Sequence, residues 1–316
     1  MQQPIRKIVV AFEPSPESPG NRLGSELATV FTSDLLAPSL EFVTTVGKRD
    51  IAPGETARQF AAKLIHSFRQ GSVPLESIEV IPTGERLKDA VAALYDYAVR
   101  VNADLIIAPN HGRGGFSRFR RGSFVESLVM ISAIPVLTLG PRARIFRPIR
   151  RILFPSDFRS DSKRVLDRAI GLAGQLNAKI TIFHAATMPR ADEIPLRMPV
   201  AVRFEDLEIP SAWRVYHEQR RQEAEAFTDH VRVSGVEAEA LFDSSGQPVG
   251  DVIQLIAAAE DIDLIAISAR SGPISTYFKG RITQRLIRQA HCPVWVLHEN
   301  RLEKAGGISG ETQSAA

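Results

Sequence analysis

The chain has 316 residues, of which 44% are apolar and 24% are charged, with a formal net charge of +3. This length predicts about two domains of roughly 150 residues each, and the small charge argues against a protein dedicated to nucleic acid, so no specific nucleic-acid partner is expected. A single cysteine, Cys292, excludes an intrachain disulfide framework.

The sequence shows neither a signal peptide nor an apolar run near the roughly 20 residues of a membrane helix. We therefore expect a cytoplasmic protein without a membrane span.

Short apolar runs alternate with helical patterns through the first half of the chain. The predicted strands are residues 8–12, 40–46, 78–81, 105–108 and 136–139. The apolar faces of three predicted helices are marked by Leu23, Leu27 and Val30, by Ala61, Leu64, Ile65 and Phe68, and by Leu87, Val91, Leu94 and Ala98. A fourth helix is predicted to begin near Ser123.

The second half repeats this order. Its predicted strands are residues 152–154, 180–184, 238–242, 264–267 and 294–297. Four helices are predicted. The first and third have apolar faces formed by Leu166, Ala169, Ile170 and Ala173 and by Val249, Val252, Ile253 and Ile256, and the second and fourth span residues 213–233 and 281–289.

The two halves also resemble each other in sequence. RKIVVAFEPS at 6–15 matches RRILFPSDFR at 150–159, ADLIIAP matches IDLIAIS, and IPVLTL matches CPVWVL. Ile8 and Ile152 are 144 residues apart, whereas Gly122 and Gly280 are 158 apart, so the second copy is longer by 14 residues. We predict domains at 1–140 and 151–299, a linker at 141–150, an insertion near 188–213 and a mobile tail at 300–316.

The strand pattern predicts the fold class. Strands that are apolar on both faces and separated by helices indicate a parallel sheet covered on both sides. Each copy is therefore predicted to be a doubly wound α/β domain with a five-stranded parallel sheet. The last strand of each copy would expose unpaired backbone groups at a sheet edge, so we expect it to be covered or paired.

A glycine-rich basic segment, PNHGRGGFSRFRRGS at 109–123, follows the fourth strand. Glycines allow backbone amides to approach an anion, and the helix that follows offers its N-terminus, which Ser123 can cap. Arg113 and three further arginines can add charge-assisted contacts to phosphate. The segment has neither a Walker A pattern nor G-x-G-x-x-G spacing. The residues alone leave a phosphate cradle and an ordinary loop equally open.

From about residue 5 to residue 298 the sequence resembles the universal stress protein family in its tandem form. Nucleotide-binding members carry an Asp after the first strand, and later Gly, two residues, Gly, nine residues and Gly-Ser. Here nine residues separate Gly112 from Gly122, and Ser123 follows. Two positions depart from the pattern, because Pro109 replaces the first glycine and Glu13 replaces the Asp.

This resemblance implies an adenine nucleotide, ATP with or without Mg, bound chiefly in the first copy. Residues at the end of the first strand would border adenine and ribose, the end of the second strand would face adenine through its backbone, and the glycine segment would hold the phosphates. The candidate binding residues, including the loop arginine Arg113, are Ala11, Phe12, Glu13, Thr45, Gly112, Arg113, Gly122, Ser123 and, in the second copy, Asp157.

The second copy departs from the pattern in its loop. It keeps the acid, Asp157, but Ser268 and Ser271 stand nearest to the paired glycines. Eight residues separate Ser271 from Gly280, and Arg281 replaces the serine. A degenerate structural copy and a weak site both remain open, and we expect weaker nucleotide binding than in the first copy.

No residue pattern indicates catalysis, since neither a G-x-S-x-G motif nor a paired nucleophile and base is present. We expect a stress-response sensor or regulator with at most slow ATP hydrolysis. A nucleotide-free interaction protein and an apolar-ligand carrier, both using the insertion, are the alternatives. The resemblance also implies that the strands at 136–139 and 294–297 pair antiparallel about a pseudo-two-fold axis as an intramolecular pseudo-dimer; a homodimer and a protein partner are further expectations.

Overall fold

The structure is a computed structural model. It describes residues 4–14, 19–35, 38–48, 50–68, 78–110, 124–145, 148–158, 160–185, 209–243, 245, 247–269 and 279–298. The glycine-rich segment from 111 to 123, most of the predicted insertion and the predicted tail lie outside these residues.

The elements of the first repeat alternate as the sequence predicts. They are β1 Lys7–Phe12, α1 Pro19–Asp34, β2 Ser39–Val46, α2 Ala57–Phe68, β3 Glu79–Pro82, α3 Leu87–Arg100, β4 Leu105–Ile107, α4 Phe124–Ile131 and β5 Val136–Thr138.

The second repeat has the same order. Its elements are β6 Arg151–Pro155, α5 Ser160–Leu176, β7 Lys179–Ala185, α6 Ile209–Val233, β8 Ala238–Asp243, α7 Val249–Ala259, β9 Leu264–Ala269, α8 Lys279–Gln289 and β10 Val294–His298. Helix α6 begins at Ile209, four residues before the predicted start, so residues 209–213 belong to a helix and not to a loop of the insertion. Pro210 does not prevent this, because the first turn of a helix has no intrahelical acceptor for its N–H groups.

The described strands form one ten-stranded sheet in the order β3-β2-β1-β4-β5-β10-β9-β6-β7-β8. Pairing is parallel within each repeat. The junction between the repeats is antiparallel, with β5 hydrogen-bonded to β10. The predicted fold class is confirmed, and so is the pairing of the two last strands.

Two apolar cores cover the two faces of this sheet. Along β1, Ile8, Val10 and Phe12 face one core while Val9 and Ala11 face the other, as the period of two in a strand requires. One core includes residues of α1, α2, α5 and α6, and the other includes residues of α3, α4, α7 and α8. Each core therefore continues across both repeats.

The two repeats share a device that fixes the start of the first strand. The Asp104 carboxylate accepts hydrogen bonds from the N–H groups of Arg6 and Lys7 at 2.8 and 2.9 Å. Asp263 accepts the same bonds from Arg150 and Arg151, both at 2.8 Å. These matching contacts establish which residues of the two repeats are equivalent.

Candidate functional site

The strand order of the first repeat creates a crevice at one end of the sheet. The chain moves outward from β1 to β2 and β3, then crosses to β4 on the other side of β1. In doubly wound sheets, ligands bind beyond the carboxyl ends of the strands where the order reverses in this way. Glu13 directly follows β1, and the glycine-rich segment leaves the sheet just after β4. The sequence-predicted residues therefore belong to the chain segments that flank this crevice.

The last residues of β1 are parts of the core. Ala11 is buried on the side of α3 and α4. Phe12 is buried on the other side, where its ring contacts the ring of Phe42 with centroids 5.3 Å apart. Their side chains support the end of the strand, so any contact that they make with a ligand in the crevice comes from the backbone.

Glu13 and Thr45 are brought to the same level of the sheet. Phe12 lies opposite Thr44 in the parallel register of β1 and β2, so the residues that follow them are neighbours. Glu13 is 3% exposed and Thr45 is 2% exposed. The two residues therefore lie side by side, and their role in binding stays a prediction.

Asn21, in the first turns of α1, holds the backbone of Glu13 in place. Its side-chain oxygen accepts a hydrogen bond from the Glu13 N–H at 2.7 Å, and its side-chain amide donates to the Glu13 carbonyl at 3.0 Å. Asn21 is fully buried. The sequence reasoning missed this residue, although a buried amide beside a helix start is a known signal for local backbone bonding.

The phosphate-loop residues Gly112, Arg113, Gly122 and Ser123 lie outside the described residues. Their flanks are described. Pro109, at the position of the first family glycine, packs against Gly24 of α1, where an added Cβ would lie 3.3 Å from the proline ring. The glycine at 24 therefore leaves room for the proline.

The chain after the acid takes a different path in the second repeat. Asp157 follows β6, and the hydroxyl of Ser162, in α5, donates to its carboxylate at 2.9 Å. Phe158 comes next with a φ of 59°, in the left-handed region that bulky residues rarely adopt. The first repeat has Pro14 at this point, and a proline ring holds φ near −65°. The two candidate sites therefore have different backbone paths after the acid.

An aromatic cluster lies beside Asp157. The ring of His184, near the end of β7, lies 4.8 Å from the Phe158 ring, which in turn contacts the edge of Phe227 at 5.2 Å. The Nδ1 atom of His184 lies 2.8 Å from the Ser156 carbonyl oxygen. Because a carbonyl only accepts, Nδ1 carries the proton, and Nε2 has no hydrogen-bond partner among the described residues. Burial lowers the pKa of His184, and the Arg220 guanidinium adds to this effect.

Cys292 is a core residue, as the sequence predicts. It is fully buried, and burial raises the pKa of its thiol to about 12. Within the described part of the chain, no group of three or more His, Cys, Asp or Glu residues could hold a metal ion. None of the described helices has both the length and the hydropathy needed to cross a bilayer.

The two candidate sites lie at opposite ends of the sheet. All strands of one repeat point the same way, and the antiparallel contact between β5 and β10 reverses the direction of the other repeat. The carboxyl ends of β1 and β4 therefore lie at the edge opposite to the carboxyl ends of β6 and β9.

Comparison with known proteins bears on both repeats. The family model described as Universal stress protein family matches residues 4–139 and 148–298. A structure of a universal stress protein from Archaeoglobus fulgidus DSM 4304 is 13% identical, covers 94% of this chain and 97% of its own, and has a TM-score of 0.61. A protein from Pseudomonas aeruginosa UCBPP-PA14 is 14% identical, with coverages of 97% and 98% and a TM-score of 0.61. At such identities these two structures show the fold alone.

Some shorter structures contain a bound nucleotide. The universal stress protein from Archaeoglobus fulgidus in complex with dAMP is 20% identical and covers 49% of this chain and 98% of its own, with a TM-score of 0.32. No curated protein sequence matches this chain significantly.

Proposed function

Because the chain belongs to the universal stress protein family, we propose that its first repeat binds an adenine nucleotide and that the protein acts in a stress response as a sensor or regulator. ATP, with or without Mg, is the first ligand to test. The proposal concerns binding and not efficient turnover. The cytoplasmic location, a homodimer and a protein partner stay predictions.

One observation carries the proposal. The glycine-rich segment joins β4 to α4, and β4 lies beside β1 at the position where the strand order reverses. This is the place where doubly wound sheets bind ligands. A segment rich in glycine that ends at a helix start is suited to phosphate, because backbone N–H groups and the helix dipole both favour an anion.

The residues around the crevice support a nucleotide with a ribose and a base. Glu13 lies beside Thr45 at the ends of two adjacent strands. Asn21 fixes the Glu13 backbone, so the site does not need to order it when the ligand binds. A carboxylate accepts hydrogen bonds from hydroxyl groups, which suits Glu13 to the ribose.

Titration calorimetry of the full-length chain with ATP, with and without magnesium, tests the proposal. We expect saturable heat. Gly122→Val should abolish it, because a branched side chain would stand where the phosphate must approach the backbone. The ligand-free melting temperature of the variant must match that of the wild type, which separates loss of the site from loss of the fold.

The absence of heat at millimolar ATP, where binding is worth only about −4 kcal/mol, would reject nucleotide binding. That result would favour the alternatives of a nucleotide-free interaction protein or an apolar-ligand carrier. GTP serves as the matched ligand control, and equal heats for ATP and GTP would contradict selection for adenine.

A further inference from the structure

We propose that the second repeat is a working part of the first-repeat site, because the last turn of α8 binds the described residues on either side of positions 111–123. Asn110, just before these positions, is hydrogen-bonded to α8, and Glu126, in the first turn of the helix that follows them, is paired with α8. This inference rests on the proposed function and names positioning residues for it, not residues that touch the nucleotide.

The first of these flanking residues is Asn110, which is 6% exposed. Its backbone N–H donates to the Leu139 carbonyl at 2.7 Å, next to the end of β5. Its side-chain amide donates to the Ile287 carbonyl at 3.2 Å, 177 residues away in α8. Carbonyls in the last turn of a helix have no intrahelical hydrogen-bond partner, and the Asn110 side chain supplies one for Ile287.

The second flanking residue is Glu126, in the first turn of α4. Both of its carboxylate oxygens accept hydrogen bonds from the Arg288 guanidinium, at 2.5 and 2.9 Å. A two-bond pair between a guanidinium and a carboxylate fixes orientation as well as distance. Arg288 follows Ile287 directly, so the same turn of α8 contacts residues on both sides of positions 111–123.

Close backbone packing prevents this turn of α8 from shifting freely. A Cβ added to Gly140, just beyond β5, would lie 2.9 Å from the Ile287 carbonyl oxygen. The Arg144 N–H also donates to the His291 carbonyl at 2.6 Å, just after the helix. The end of α8 is therefore a fixed support for Asn110 and for the first turn of α4.

The same helix begins next to the other candidate site. Helix α8 starts at Lys279, at the end of the segment of the second repeat that corresponds to the glycine-rich one. Its eleven residues rise about 16 Å at roughly 1.5 Å per residue. One helix thus extends from the edge of the second site to the edge of the first.

The equivalent residues show that the support is one-sided. At the end of α4 the Ser132 N–H donates to the Leu128 carbonyl, and at the end of α8 the Ala290 N–H donates to the Leu286 carbonyl. These equivalent bonds align Leu128 with Leu286 and so align the two helices. In this alignment Met130 corresponds to Arg288 and Gln284 corresponds to Glu126. Ala269 corresponds to Asn110. Alanine and methionine side chains cannot form these bonds, so the two bonds to the flanking residues belong to the repeat that keeps the glycine spacing.

The test uses full-length chains in which each positioning residue is replaced by the residue of the other repeat. Arg288→Met and Asn110→Ala should each weaken ATP binding about three- to tenfold, as is typical of residues that act on a site through other residues. The matched control is Arg285→Met. Arg285 lies on the same helix and pairs with Asp251 inside the second repeat, so its loss should leave ATP affinity unchanged.

Hydrogen exchange gives a readout that a purely structural role would not change. Since coupling is reciprocal, ATP should slow amide exchange at residues 286–290 in the wild type and in Arg285→Met, but not in Arg288→Met. Affinities of Arg288→Met and Asn110→Ala within twofold of the wild type would overturn the proposal. An equal loss in Arg285→Met would overturn it too.

A failure of the proposed function can be told apart from a failure of this inference. If the wild type gives no heat with ATP, nucleotide binding is rejected while the positioning claim is judged without ligand. Arg288→Met should then speed exchange at the Asn110 amide and at residues 127–131 of α4. Unchanged exchange at those amides would reject the positioning role.

Discussion

Leu137 of β5 and Trp295 of β10 lie directly opposite each other where the two repeats join. On either side of this pair, Val136 faces Val296 and Thr138 faces Val294. Leu137 and Trp295 occupy the same position in the matching segments IPVLTL and CPVWVL. The register is therefore symmetric about this pair, as a pseudo-two-fold axis between the repeats requires.

Trp295→Ala should destabilise both repeats together. The indole is 3% exposed and belongs to a core that continues across both repeats, and truncating a buried tryptophan typically removes about 3–5 kcal/mol. We expect one cooperative unfolding transition at a lower urea midpoint, measured by circular dichroism. Hydrogen exchange should accelerate in β2 as well as in β7. Two separate transitions, with only that of the second repeat shifted, would show that the repeats are independent.

Gly140→Ala should also weaken the junction. The added Cβ would stand 2.9 Å from the backbone oxygen of Ile287, and forcing extra atoms into a packed contact typically destabilises by about 1–3 kcal/mol. Gly174→Ala in α5 is the matched control, because the nearest atom to its new Cβ is 4.0 Å away. There the substitution should be neutral or stabilising, by up to about 1 kcal/mol from helix propensity. Urea unfolding of both variants measures the difference, and equal effects would contradict this assignment.

The positions of the strands followed from the sequence because a strand buried on both faces must be apolar throughout. Both copies of this pattern predicted the element order. The apolar edges predicted only that the last strands are covered or paired, and the resemblance to universal stress proteins implied the pairing of β5 with β10. The start of α6 was missed because prolines and mixed polar residues precede it. A proline in a first turn is compatible with a helix, so Pro210 did not mark the true boundary.

The site was only partly predictable for a different reason. The neighbourhood of Glu13 and Thr45 follows from parallel strand order alone. The bonds from Asn110 to Ile287 and from Glu126 to Arg288 join residues 177 and 162 positions apart. They depend on how the two repeats face each other, which no local pattern encodes. Comparing the equivalent positions in the two copies would have shown that Asn110, Glu126 and Arg288 break the repeat.

His184 should make stability depend on pH. Burial lowers its pKa in the folded state, so the unfolded chain binds a proton more readily once the pH falls below the ordinary value of about 6.5. Stability should therefore decrease as the pH falls from about 7.5 through 6.5 towards the lowered pKa, with a slope of at most about 1.4 kcal/mol per pH unit for one proton.

The variant His184→Asn isolates this effect, since an asparagine amide can donate to the Ser156 carbonyl without titrating. Urea midpoints measured at several pH values should decrease less steeply in the variant than in the wild type. His66→Asn is the control, because His66 is an exposed histidine near the end of α2. Parallel curves for the wild type and His184→Asn would remove His184 as the cause.

The first repeat should bind the nucleotide more tightly than the second. It keeps the glycine spacing, whereas the second repeat has Ser268 and Ser271 near the glycine positions and Arg281 in place of the serine. A serine side chain at a glycine position limits how closely an anion can approach the backbone. In the full-length chain, Gly122→Val should therefore abolish the tighter binding phase, while its repeat equivalent Gly280→Val should leave it unchanged. Calorimetry measures both the affinity and the number of sites. We expect about one ATP bound per chain at micromolar ATP. Loss of the tighter phase in Gly280→Val, or two equal sites per chain, would reverse the ranking.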